Sequence, residues 1–107
     1  MVRGDIITVS LAGEYGKPRP AVILQSDTFR GLPSVTVLPM TSDLIEAEAT
    51  RVLLEPTSRN GLRKQSQVMI DKANTLPRSK VGSVIGRLAA AELIRVDRAL
   101  ATFLGLA

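Results

Sequence analysis

The sequence predicts a mainly β fold with one C-terminal helix, a small antiparallel barrel or curled sheet on which the helix packs. Three observations predict it. Short runs rich in valine, isoleucine and threonine recur between Gly, Pro and Asn-Gly punctuation. The apolar period changes from two to about 3.6 only after Ala89. The length of 107 residues suits one domain over 1–107, since domains usually run to roughly 100–200 residues.

Ile6-Ile7-Thr8-Val9-Ser10-Leu11 alternates at Thr8 and Ser10 and reads as a half-buried strand. Gly13 and Gly16 open a loop that ends at Pro20, and Ala21 to Leu24 is a buried strand too short for a helix. Ser34-Val35-Thr36-Val37-Leu38 is a third strand, entered from Gly31-Leu32-Pro33 and expected to stop at Pro39. Thr50 to Glu55 makes a fourth. Gln67 to Asp71 makes a fifth, and the Asn60-Gly61 turn supports pairing the two. Gly82 to Leu88 reads as a further short strand, with a glycine-flanked helical turn as the alternative. From Ala89 the apolar positions Leu93, Val96, Leu100, Phe103 and Leu104 fall on one helical face, with the helix ending near Gly105.

Composition narrows the chemistry. The chain is 45% hydrophobic and 22% charged, which suits a small folded core rather than a disordered chain. With no cysteine there is no disulfide frame, thiolate metal site or cysteine nucleophile. With no histidine, acid–base work falls to carboxylates, tyrosine, lysine, arginine or water. No apolar run reaches the ~20 residues of a membrane span, and Met1-Val2-Arg3-Gly4-Asp5 lacks a signal-peptide core, so a cytoplasmic protein without membrane contact is expected. The net charge of +4 is lopsided: residues 1–60 carry six Lys/Arg against seven Asp/Glu (−1), and residues 61–107 carry eight against three (+5). A basic half of this kind suits a polyanion, where cations release condensed counterions.

Three polar clusters stand at expected strand ends. In Gly16-Lys17-Pro18-Arg19-Pro20 two prolines fix the backbone around one guanidinium, a rigid mount for a phosphate-binding cation. Pro39-Met40-Thr41-Ser42 places a hydroxyl pair after a buried strand, and Gln65-Ser66-Gln67 leads into the strand ending at Asp71-Lys72. The same residue types also form ordinary turns.

The order of these clusters resembles the MazF/PemK toxins. The resemblance is carried by Arg3-Gly4-Asp5-Ile6, Lys17-Pro18-Arg19-Pro20-Ala21-Val22-Ile23, Val37-Leu38-Pro39-Met40-Thr41-Ser42, Ser66-Gln67-Val68-Met69-Ile70-Asp71-Lys72, and Ile85-Gly86-Arg87-Leu88 with the final helix. It spans nearly the whole chain. It implies an SH3-like antiparallel barrel with a C-terminal helix, acting as a homodimer. It also implies the toxin of a type II toxin–antitoxin pair, a metal-free, cofactor-independent endoribonuclease that cuts single-stranded messenger RNA and is held inactive by a cognate antitoxin. By matching motif, the family's cleavage residues fall on Arg19 and Thr41.

The chemistry agrees with that carry-over. Attack by an RNA 2′-hydroxyl passes through a pentacoordinate phosphorane whose added charge needs fixed donors. Arg19 supplies a planar fork and Thr41 a hydroxyl. For the general base Asp71, Glu14 and a substrate-bound water are the candidates. Some family members carry a histidine in the first loop and an arginine two residues before the later aspartate; this chain has no histidine and has Met69 there. RNA contacts are expected from Tyr15, the one aromatic placed to stack on a base, and from Lys17, Ser42, Gln65, Ser66 and Gln67. Phe103 is expected in the helix core. The alternative function is a non-enzymatic toxin of the same fold that poisons a protein such as DNA gyrase, as the CcdB toxins do; the absence of tryptophan speaks against it.

Overall fold

The computed structural model describes residues 1–10 and 17–107. Seven strands precede one helix: β1 (Asp5–Val9), β2 (Arg19–Ile23), β3 (Ser34–Thr41), β4 (Arg51–Leu54), β5 (Ser66–Met69), β6 (Asn74–Pro77), β7 (Val81–Arg87) and α1 (Ala90–Phe103). The hydrogen-bonded order is β4-β5-β3-β2-β1-β7, with β6 also on β3, and the pairs are antiparallel. Among the described residues β4 and β7 do not pair. The mainly β fold with a C-terminal helix is as expected, and of the two forms offered, barrel or curled sheet, the described residues make an antiparallel sheet that does not close.

The curl originates in β3, which does not stop at Pro39 but runs on to Thr41. The Leu24 N–H donates to the Thr36 carbonyl at 3.0 Å, and the β2–β3 register pairs Val22 with Leu38 and Ala21 with Pro39. Even-numbered residues of β3 therefore turn their N–H groups toward β2, and Pro39 turns its missing donor to the opposite side. On that side β6 has already ended at Val37 and β5 begins only at Met40. Pro39 thus sits in the gap between two partners, where a central strand can accept proline. The same parity puts the missing donor of Pro20 toward β3, and the β2–β3 ladder ends at Ala21.

Alternation divides the apolar residues into two cores. Ile6, Val22, Leu38, Met40 and Val68 pack with Val52, Leu54, Ile70 and the helix residue Val96. Ile7, Val9, Ala21, Ile23, Val35 and Val37 pack on the other side with Leu76 of β6. The sequence reading passes over β6 because Asn74-Thr75-Leu76-Pro77 has a single strong apolar residue. The strand forms because β3 offers an open edge, and Thr36 and Thr75 join their hydroxyls across the pair at 2.7 Å. The fifth strand also ends early: Ile70–Lys72 is a 3-10 turn, so Asp71 is not on a strand.

The N-cap of α1 is Ala89, which has no capping side chain; Glu92 reaches back and accepts the Ala89 N–H at 2.8 Å. At the other end the Leu106 N–H donates to the Ala101 carbonyl (2.8 Å) and the Gly105 N–H to the Thr102 carbonyl (3.2 Å), with Gly105 at φ 76°. This is the Schellman arrangement expected of glycine there. Leu93, Val96, Ala99 and Leu100 lie against the first core. Phe103 is corrected: it is 50% exposed, one turn beyond the last residue that meets the sheet. Arg3 locks the helix to the N-terminal segment, its guanidinium binding both carboxylate oxygens of Asp97 and the Leu24 carbonyl. Among the described residues no helix is long and apolar enough to cross a membrane.

The connection between β4 and β5 runs from Glu55 to Gln65 around Asn60-Gly61. β4 and β5 do pair, and the chain between them folds over β7, with the Arg59 carbonyl accepting the Arg87 N–H at 2.9 Å. A Cβ on Gly86 would lie 2.2 Å from the Asn60 carbonyl oxygen, while one on Gly31 would meet nothing within 4 Å. Gly86→Ala is therefore expected to destabilise the protein by about 2 kcal/mol or more, and Gly31→Ala to stay within about 1 kcal/mol of wild type. Urea unfolding of the two variants side by side checks this.

Candidate functional site

Where the β2–β3 ladder stops, the strand ends part and a cleft opens. Its polar lining among the described residues is Thr8, Arg19, Thr41, Ser42, Arg63, Lys64 and Ser66, over an apolar floor that includes Met40, Leu62 and Ile85. Arg19 is the first residue of β2 and pairs with Val9 of β1, so it belongs to the strand rather than to the preceding loop. Carrying the β2–β3 register two residues past Ala21 and Pro39 brings Arg19 level with Thr41. A guanidinium and a hydroxyl are thereby set at adjacent strand ends.

Thr41 Oγ1 accepts the Asp43 N–H at 3.0 Å. This is the turn-forming bond open to any such hydroxyl. It also fixes the oxygen while leaving the hydroxyl hydrogen available to an acceptor in the cleft. Ser66 is buried and donates to the Lys64 carbonyl at 2.9 Å. Ser42 is exposed at the rim.

The far wall is the segment 60–65, and Asn60 holds it. Asn60 is fully buried; its Oδ1 accepts the N–H groups of Thr57 (2.9 Å) and Leu62 (3.0 Å). Its Nδ2 donates to the Glu55 carbonyl (2.8 Å) and to Glu92 Oε2 (3.3 Å), and its N–H donates to Thr57 Oγ1 (3.0 Å). One Glu92 carboxylate therefore caps α1 and anchors the cleft wall. Gly61, at φ 69°, passes close enough to β7 that a Cβ would lie 2.0 Å from the Ile85 carbonyl oxygen.

The other sequence-derived candidates are placed differently. Gln65 donates to Glu55 Oε2 at 2.7 Å, bracing the base of the same segment. Gln67 spends both ends of its amide on Ile45, accepting the Ile45 N–H (3.1 Å) and donating to its carbonyl (2.8 Å). Its side chain lines a second groove, between the 45–48 segment, β4 and α1. Asp71 forms an ion pair with Lys72 at 3.7 Å on the turn after β5 and does not line the cleft. Lys17 is exposed and outside the lining, although its neighbour Pro18 is within it. Tyr15 and Glu14 lie outside the described residues. Arg63 and Lys64 line the cleft and escape the sequence reading; the excess charge of the C-terminal half is the signal that points to them.

With this geometry, comparison with known proteins is decisive. The family model described as PemK-like, MazF-like toxin of type II toxin-antitoxin system matches residues 2–104. The chain belongs to this family. It is 48% identical to the probable endoribonuclease MazF of Mycolicibacterium smegmatis, over 100% of this chain and 99% of the relative. Among solved structures, the Mycobacterium tuberculosis toxin MazF-mt6 superposes with a TM-score of 0.83 at 31% identity, covering 96% of this chain and 98% of that one. A mycobacterial endoribonuclease solved in complex with its cognate antitoxin shares the fold, with a TM-score of 0.85 at 23% identity over 100% of this chain and 97% of that one.

Because the cleft wall is a loop held by Asn60, its rigidity is testable apart from activity. Asn60→Ala leaves buried backbone donors and acceptors without partners and is expected to lower stability by about 2–3 kcal/mol. Chemical denaturation measures it, and hydrogen exchange should show the loss of protection centred on residues 57–62 and the start of α1.

Proposed function

We propose that this protein is a toxin endoribonuclease that cuts single-stranded RNA in the Arg19–Thr41 cleft by attack of the substrate's own 2′-hydroxyl. The observation that carries the reading is an arginine and a threonine, the threonine's hydroxyl oxygen held by the Asp43 N–H, lining one cleft at two neighbouring strand ends in a chain of the MazF family. The 2′-oxygen bonds to phosphorus, the P–O5′ bond breaks, and the products are a 2′,3′-cyclic phosphate and a 5′-hydroxyl. Arg19 binds the non-bridging phosphate oxygens through two parallel N–H bonds, and these shorten as charge builds in the phosphorane. Thr41 adds a third donor from the side. The proton from the 2′-hydroxyl passes to water, since Asp71 pairs with Lys72 away from the cleft, and the 5′-oxygen is protonated by water or Arg19. No metal or cofactor enters this scheme.

Sequence selectivity follows from the shape of the loops around the cleft, with Ser42 at its exposed rim as a substrate contact. A homodimer and a cognate antitoxin belong to the same reading. The antitoxin partner is supported by the complex formed by the structural relative, and the homodimer by exposed apolar side chains at Ile94, Phe103, Leu104 and Leu106. The gyrase-directed alternative loses ground because the relative at 48% identity is named an endoribonuclease.

Purified protein is expected to cut mixed-sequence single-stranded RNA at restricted sites in the presence of a chelator, leaving 5′-hydroxyl ends. Arg19→Ala should lower the cleavage rate by about 10³-fold and Thr41→Val by about 10²-fold, in line with the loss of fixed transition-state donors. Thermal unfolding should leave Arg19→Ala folded, since the side chain is exposed. Full activity in that variant overturns the assignment.

A further inference from the structure

We infer that Arg63 and Lys64 form a second anion grip that holds phosphates flanking the scissile one, supplying affinity rather than rate. The inference rests on the ribonuclease reading of the cleft and concerns how the rest of the strand is held.

Sheet order sets the layout. Arg19 opens β2, Thr41 closes β3, and Lys64 lies two residues before the start of β5, on the far side of β3. Neighbouring strands lie about 4.8 Å apart, so β2 and β5 are separated by about 10 Å. That span exceeds one phosphate group, so cations at its two ends serve different phosphodiesters.

The cations at the far end are neither engaged elsewhere nor loosely mounted. Among the described residues, Arg3 binds Asp97, Arg87 binds Asp5, Arg78 holds carbonyls of the 30–32 turn and Arg95 holds the Leu53 carbonyl. No ion pair in the described residues involves Arg63 or Lys64, and both are exposed. Their backbone is nonetheless fixed by the Asn60–Leu62 bond, the Ser66–Lys64 bond and the Gln65–Glu55 brace. The described cleft lining includes no aspartate or glutamate to neutralise them. A solvated surface pair needs neither that anchoring nor that charge purity.

Contacts to phosphates that do not react are equally strong in ground and transition states, so they lower KM without raising kcat. Each cation that neutralises a phosphate of a single strand also adds about 0.7 to the slope of log affinity against log salt. The test uses the full chain, wild type against R63A/K64A, with R30A/K80A as a control that removes the same charge outside the cleft. One arm measures cleavage of single-stranded RNA. The other measures binding of the same oligonucleotide with 2′-deoxyribose at every position, which cannot be cut. The expected result is an affinity loss of about 10-fold or more, a salt slope smaller by about 1.4, a raised KM and a kcat within about threefold of wild type, with the control near wild type. Affinity and slope matching the control overturn the grip. A collapse of kcat at unchanged affinity overturns it as well, because the pair then acts on the reacting phosphate. If the wild type binds with the expected slope yet cuts no RNA, the grip stands and the ribonuclease reading falls.

Discussion

Pro20 and Pro39 each withhold one ladder donor, and the position of the cleft follows from where those two donors are missing. At Pro39 the omission faces the gap between β6 and β5, so a single strand serves one partner with its first half and another with its second. At Pro20 it faces β3, so the ladder ends one residue later at Ala21 and the strand ends separate. A residue with an N–H at position 20 would carry the ladder on toward Met40 and narrow that opening. The prolines around Arg19 therefore do more than stiffen a loop. They terminate pairing so that a guanidinium and a hydroxyl sit beside each other with their strands still anchored behind them.

The opposite wall is rigid for another reason. Polar groups in the 55–62 segment are turned inward onto Asn60, which is buried with several hydrogen bonds from its side chain and one from its backbone. A buried amide with partners at both ends favours one arrangement strongly, because every alternative leaves groups unsatisfied. Glu92 couples this amide to the first turn of α1. Helix packing, through Val96 against the first core, and the geometry of the cleft wall thus share one carboxylate. Two independent devices, a withheld donor and a satisfied amide, hold the two walls in register.

Much of this was legible in the sequence. Six strand regions, the terminal helix and its glycine stop could be read because their apolar periods are strong or their ends punctuated. β6 could not, because what stabilises it is the open edge of β3 rather than its own composition. Proline was read as a terminator at position 39 since local rules know nothing of a strand that changes partners. Arg19, Thr41, Ser42 and Ser66, which stand at expected strand ends, share one cleft. Gln67 lines the other groove, and an amide that clamps a neighbouring backbone looks the same in sequence as one that faces the cleft. Arg63 and Lys64 do not stand out in the sequence because their setting depends on the fold of the Asn60 loop, which the Asn-Gly pair alone does not specify.

Two grooves compete for a polyanion, and charge decides between them. The groove between β4 and α1 is the larger, and it sets Arg51, Arg95 and Arg98 against Glu46 and Glu48. A phosphate strand laid there meets attraction and repulsion in nearly equal measure. The cleft at the strand ends offers cations and hydroxyls, with no acidic residue in its described lining. In a concave site walled by apolar groups such charges act with less screening than on an open surface. The larger groove is thus the less favourable one for a polyanion. The cleft at the strand ends, where Arg19, Arg63 and Lys64 share a lining and the Leu62 N–H is anchored on Asn60, is the more favourable.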